Sequence, residues 1–189
     1  MATQKNGQAE TKVVTGKVRL SYVYVFKPKA ASEDQEPKYS TCVLIPKTDK
    51  VTIERVNKAV EAVRKSEVAK AKWGGKVPSN LKTPLRDGDE DHPDQEEFVG
   101  HYFFNASCKQ KPGIIDLNKI EITDSTEVYS GCYARVSVNF YAFSRNGNKG
   151  IAAGLNNIQK VADGENLGGR ASAEDDFDDD FKDEDGMLD

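Results

Sequence analysis

The sequence predicts a mainly β protein, a small closed barrel of five or six antiparallel strands with one amphipathic helix after the second strand. Three observations carry that expectation. Apolar and polar residues alternate with period two in several segments separated by polar loops, whereas only one segment keeps a period near 3.6. The last sixteen of the 189 residues, Glu174 to Asp189, hold ten carboxylates against one lysine and cannot join either pattern.

Residues 1–12 are polar and read as a flexible N-terminus ahead of a body spanning 13–162. Lys17 to Lys27 (KVRLSYVYVFK) alternates, which places Val18, Leu20, Tyr22, Tyr24 and Phe26 on one face of a long first strand. Tyr39 to Ile45 is β-rich and stops at Pro46, giving strand two after the polar loop Ala30 to Pro37. After Thr48 or Asp49 as N-cap, Ile53, Val56, Val60 and Val63 make the apolar stripe of a helix. That helix continues weakly to Lys72 and ends at Trp73-Gly74-Gly75, with Trp73 read as a core anchor. Lys76 to Glu97 keeps no period and forms a long excursion. Strands resume at Phe98 to Cys108, with short pieces at Ile114 to Leu117 and Lys119 to Ile122. Gly131 to Phe143 alternates most clearly, the Arg145-Asn146-Gly147-Asn148 turn closes a hairpin, and Ile151 to Ile158 returns.

The charge is unevenly distributed. The tail carries −9 of a chain total of −4, so the body has 26 Lys and Arg against 21 Asp and Glu. Burying Phe177, Phe181, Met187 and Leu188 would gain roughly 1.5–3 kcal/mol each, against about 16–32 kcal/mol of backbone entropy for sixteen residues. The tail is therefore expected to be disordered, with 163–173 as its flexible lead-in. A basic body carrying its own polyanion points to another polyanion as partner, nucleic acid first. Cys42, Cys108 and Cys132 lack metal or disulfide spacing and suit a reducing cytoplasm. No apolar run approaches the length of a membrane span, and the start has no signal-peptide core.

Catalytic patterns fail one by one. Gly75-Lys76 would end a phosphate loop, but Lys70 and Val77 stand where Gly and Ser or Thr are needed. Asp87, Asp89 and Asp91 imitate a calcium loop, yet His92 and Phe98 occupy its glycine and glutamate positions. The run Asp87 to Glu97 reads as a solvated acidic loop, and His92 and His101 have no spacing that joins them. No enzyme, cofactor or metal is expected. A metal-dependent nuclease built on Asp87 to Asp94 is the enzymatic alternative, and it predicts degradation of bound strand.

Single-strand binders combine a cationic track with rings on which unpaired bases stack. The outer face of the Gly131 to Phe143 strand offers Tyr133, Arg135, Asn139 and Tyr141, flanked by Arg145 and Lys149. Lys38-Tyr39, Tyr102, and Lys109 with Lys111 add further candidates, and Lys82 and Arg86 could close over a strand from the excursion. The helix has mixed charge and does not suit groove reading.

Lys82 to Gly88 (KTPLRDG), Pro112 to Leu117 (PGIIDL), Val128 to Phe143 (VYSGCYARVSVNFYAF), Gly147 to Gln159 (GNKGIAAGLNNIQ) and Asp163-Gly164-Glu165 together resemble the single-stranded DNA-binding proteins of tailed enterobacterial phages. That resemblance implies an OB-like five- to six-stranded antiparallel barrel with a disordered acidic tail. It further implies sequence-independent binding of single-stranded DNA in phage replication, recombination and repair, in the host bacterial cytoplasm. The tail, with Asp176, Phe177, Asp178, Asp179, Asp180 and Phe181, would compete with DNA and recruit replication proteins such as polymerase, primase or helicase. Related tails often end on an aromatic residue, whereas this one ends Gly186-Met187-Leu188-Asp189, which leaves the tail's partner open. A homodimer is compatible with the sequence, and the rival reading is an interaction factor whose tail mimics DNA.

Overall fold

The computed structural model describes residues 10–167. The tail 174–189 and its residues Asp176 to Phe181 lie outside the described residues, as do 1–9 and most of the 163–173 lead-in. Eight strands form one sheet: β1 Lys12–Val14, β2 Val18–Lys29, β3 Lys38–Pro46, β4 Arg86–Asp87, β5 His101–Cys108, β6 Gly113–Ile115, β7 Tyr133–Arg145 and β8 Asn148–Ala162. Five of them close on themselves in the order β2, β3, β5, β8, β7 and back to β2. The result is the expected OB-like barrel, with one detail that alternation cannot show. Closure between β5 and β8 is parallel, with Ala106 opposite Ala153 and Ser107 opposite Gly154, and β6 also joins β8 in parallel.

The helical stripe folds as expected, with a break. Asp49 is the N-cap, its Oδ1 accepting from Thr52 N at 3.1 Å, and α1 runs Lys50–Lys65 with Val56 and Val63 buried against the barrel. Ser66 is extended and caps a second helix, α2 Glu67–Lys72, by accepting from Ala69 N. The weak continuation is thus a stop and restart. Trp73 anchors the core: it is 2% exposed and donates Nε1–H to Phe143 O at 3.2 Å.

Barrel interior positions are filled by Val18, Leu20, Val43, Ile45, Phe104, Val136 and Ile158, and the Phe104 and Phe140 rings meet edge-on at 5.5 Å. A smaller cluster of Cys42, Leu44, Phe98 and Phe103 lies apart from it. His92 packs on that cluster, 4.4 Å from the Phe98 ring, so the acidic run is partly folded cover rather than wholly solvated loop. Within it, Gly88–Asp91 forms a helical turn and Glu96–Phe98 a 3-10 turn, which delays the following strand to His101. Burial raises the Cys42 thiol to about 12, and all three cysteines are unpaired.

Strand β2 departs most from its pattern. Val18 and Leu20 point inward as read, but Tyr22 takes φ 48° and the pairing with β3 shifts between Ser21 and Tyr24. Past this bulge Val25 occupies the core and Tyr22 is 51% exposed, so the single face of Val18, Leu20, Tyr22, Tyr24 and Phe26 does not exist. A left-handed conformation at a bulky residue costs about 1–3 kcal/mol and must be held by its surroundings. Lys119 to Ile122 is also not a strand: Asp116 Oδ1 accepts from Asn118 N and Ile120 N, which folds it into a tight loop.

Lys12–Val14, which begins on the last residue of the segment read as a flexible start, is a strand paired with β7. Beyond it the buried Thr15 hydroxyl accepts from Val136 N at 3.0 Å, bridging the gap between β1 and β2 along β7. Thr15→Val keeps the shape but strands that N–H, and should destabilise the protein by about 1–3 kcal/mol in urea titrations.

Candidate nucleic-acid interface

Barrel closure brings the tip of the β7–β8 hairpin beside the ends of β2, β3 and β5. A cleft of about 310 Å³ opens there, lined by Lys29, Lys38, Lys109 and Arg145 over Ser40 and Ser107. Glu36 is the one carboxylate in its wall and lies 3.7 Å from Lys109 Nζ. Three predicted residues, Lys38, Lys109 and Arg145, therefore meet in space from separate parts of the chain. Lys29 joins them unpredicted, because the first strand was expected to stop at Lys27. Tyr24 accompanies it, with Lys29 Nζ 3.0 Å from its hydroxyl and 4.6 Å from its ring centroid.

Alternation on β7 holds throughout, so Tyr133, Arg135, Asn139 and Tyr141 face outward as read. They do not form one patch. A strand rises about 3.3 Å per residue, which separates Tyr133 from Tyr141 by roughly 26 Å. Tyr141 is 43% exposed beside Gly154. Tyr133 is half-buried, with Lys17 Nζ 4.9 Å and Arg19 Cζ 5.6 Å from its ring and Gly164 packed at its edge. Arg135 donates Nε–H to Thr15 O at 3.2 Å yet keeps its guanidinium exposed. Lys17 and Arg19 are cations the sequence reading passed over, and register places them at this end.

Other candidates serve the scaffold. Lys82 donates to Asn148 Oδ1 at 3.1 Å while its backbone bridges to Gly150, pinning the excursion to the hairpin. Lys149 Nζ donates to Trp73 O at 2.8 Å at the end of α2. Arg86 pairs with Asp91 at 2.6 Å and lies over Phe103. Tyr102 stacks under Lys47, 5.0 Å from its centroid, in a wall that also holds Asp87, Glu90 and Asp91. Such a wall repels phosphate. Lys111 sits 5.3 Å over Phe26, and Tyr39 is half-buried opposite Cys108.

The chain after β8 is docked as far as it is described. Tyr129 Oη donates to Gly164 O and accepts from Gly164 N, Arg19 Nη2 donates to Glu165 O at 2.9 Å, and Leu167 N donates to Ser130 O at 2.8 Å. The first five residues of the segment read as a flexible lead-in thus form a strap on the 129–131 turn.

Asp87 and Asp89 do not gather round an open centre. Lys47 Nζ lies 2.8 Å from Asp87 and 2.7 Å from Asp89, and Gly100 N–H donates to Asp89 as well. Among the described residues no group of three or more His, Cys, Asp or Glu is placed to hold a metal ion. The hydrogen bond from Lys47, then that from Gly100, hold the Asp89 carboxyl below the usual aspartate range, and the Lys47 ammonium is pushed upward by Asp87 and Asp89. A depressed carboxyl stabilises the fold above the ordinary aspartate value of about 3.9 and loses that effect as pH falls through its folded value. Asp89→Asn should lower Tm slightly at pH 7, and the gap to wild type should close on acidification below about pH 4 in thermal melts.

A family model described as "Enterobacter phage Enc34, ssDNA-binding protein" matches residues 11–188. "Putative protein p50" of Acyrthosiphon pisum secondary endosymbiont phage 1 is 33% identical over 179 residues, covering 89% of this chain and 93% of that protein. The single-stranded DNA-binding protein from bacteriophage Enc34, solved in complex with ssDNA, superposes with a TM-score of 0.72 at 26% identity, covering 84% of this chain and 90% of that one. The single-stranded DNA binding protein gp2.5 of bacteriophage T7 shares the fold, with a TM-score of 0.63 at 14% identity over 87% of this chain and 98% of its own.

Proposed function

The chain belongs to the family of the Enterobacter phage Enc34 ssDNA-binding protein, and from that premise we propose that it coats single-stranded DNA without regard to sequence. The observation that carries the reading is the convergence of Lys29, Lys38, Lys109 and Arg145 on one cleft that Ser40 and Ser107 also line. Four cations from four segments suit a run of phosphates, which attract charge and carry no sequence information. The exposed ring of Tyr141 supplies a face on which any base can stack. The helical surface is not used for reading: α1 buries its apolar stripe, and its charges pair along its own length, Lys58 with Glu54 and Lys65 with Glu61. No step breaks or makes a covalent bond, so the work is binding and protection in phage replication, recombination and repair.

The acidic tail supplies the second half of this function. Leu167, docked on Ser130, lies seven residues before Glu174, a span of at most about 25 Å when fully extended. A polyanion tethered that close acts on the cationic face at high effective concentration. Phe177 and Phe181 within it are the anchors for replication proteins such as polymerase, primase or helicase, which gain access when DNA takes the cleft.

With about four phosphates neutralised and a slope near −0.7 per phosphate, affinity for an oligonucleotide should fall roughly 50-fold between 50 and 200 mM salt. A flat titration overturns the cleft. Lys38→Ala with Lys109→Ala should weaken binding of every sequence alike and reduce the slope by about 1.4, read by fluorescence anisotropy. Deleting Glu174 to Asp189 should tighten DNA binding, and unchanged affinity would leave the tail only its role in recruiting proteins.

A further inference from the structure

The bulge in β2 does more than shift a register. It turns Tyr22 outward at φ 48°, with half its surface exposed, beside a cleft of about 370 Å³ that Tyr22 and Tyr24 line together with Glu97, Ser130 and Leu167. An adjoining cleft of about 390 Å³ continues past Tyr24 to Phe26 and Lys27. Two cations lie against rings of this strand, Lys29 Nζ 4.6 Å from the Tyr24 centroid and Lys111 Nζ 5.3 Å from that of Phe26, and neither lines the Tyr22 cleft. Backbone strain of this kind, at a ring left in solvent, marks a position at which to look for function.

We propose that Tyr22 and Tyr24 form a nucleobase-stacking subsite, separate from the cationic cleft at Lys38, Lys109 and Arg145, whose occupant is an unpaired base of single-stranded DNA. The inference rests on the ssDNA-binding reading and assigns that reading a place for the bases. Two features choose a base over a phosphate. The walls present two aromatic rings. Their one formal charge, the Glu97 carboxylate, repels phosphate while it can accept a hydrogen bond from the amino group of adenine or cytosine. Ser130 Oγ already accepts from Val23 N at 3.2 Å, which steadies the bulge that aims the ring. The phosphates of the same strand would lie towards Lys27 and Lys29, where the track becomes basic and runs on to the cleft that Lys29 also lines.

Leu167 forms part of the wall, so the docked strap limits the subsite on the side from which the acidic tail departs. A base entering between Tyr22 and the strap therefore meets Leu167, seven residues before the tail begins. Competition between tail and DNA would begin at this subsite.

The test uses the full-length protein with three variants and labelled oligo(dT). Tyr22→Ala should weaken binding by about tenfold, the scale of one lost stacking contact, with no change in the salt slope because no phosphate contact is removed. Tyr22→Phe should bind as wild type. Tyr22→Gly removes the ring but suits φ 48°, so it should lose affinity like Tyr22→Ala while its Tm does not fall, which separates stacking from folding. Ultraviolet cross-linking to an oligonucleotide carrying 5-iodouracil should place adducts in the peptide Leu20 to Lys27, and Tyr24→Phe should leave the adduct at Tyr22. Binding by wild type with Tyr22→Ala and Tyr22→Gly within twofold of it overturns the subsite alone. A loss accompanied by a shallower salt slope also overturns it, since that assigns Tyr22 to phosphate. Failure of wild type to bind ssDNA overturns the functional reading and this inference with it.

Discussion

The parallel contact between β5 and β8 is the constraint on which the rest depends. Without it, β8, β7, β2, β3 and β5 would form one open sheet with unpaired edges at β8 and β5. With it, the barrel closes. A parallel pair needs a long connection between its strands, and the 39 residues from Lys109 to Gly147 provide one. Closure also decides what the surface can do, because Lys38, Lys109 and Arg145 are neighbours only when the hairpin tip reaches β3 and β5.

An acidic chain can still present a basic face if its carboxylates are committed elsewhere. Asp87 and Asp89 are held by Lys47, Asp91 by Arg86, Glu54 and Glu61 by lysines of their own helix, and Asp163 by Lys160. Each such pair contributes little to stability, because at least one member stays partly solvated. Their effect is spatial. They gather negative charge on the excursion and along α1, and leave the end of the barrel at Lys29, Lys38 and Arg145 with a single carboxylate in its wall.

How much of this was legible depends on the reach of each pattern. The strands of regular period, the Asp49 cap, the hairpin turn and the burial of Trp73 follow from local spacing, so the sequence displays them. Which cations converge is a property of closure, and spacing cannot rank Lys38 above Lys82 or Arg86. Lys82 and Lys149 look like ligand-binding residues in the sequence because a lysine that caps a carbonyl has the same letter as one that meets a phosphate. Lys17 and Arg19 were visible as charges, but their place beside Tyr133 required the pairing of β2 with β7.

The bulge at Tyr22 was illegible for a different reason, which is volume. Alternation offered two candidate faces for β2, one with Tyr22, Tyr24 and Phe26 and one with Val23 and Val25. Hydrophobicity alone favours burying the larger rings, since they remove more surface from water. A five-stranded barrel has a narrow interior, however, and Phe104 and Phe140 already meet across this one. Adding three more rings would overpack it, at a cost that rises with each misfit. Strand β2 instead keeps Val18 and Leu20 inside, spends one residue on a left-handed turn, and resumes with Val25 buried. The strain at Tyr22 is the smaller of two penalties, and its consequence is that Tyr22 stands on the surface while Tyr24 stays half-buried and Phe26 packs half-buried against the core.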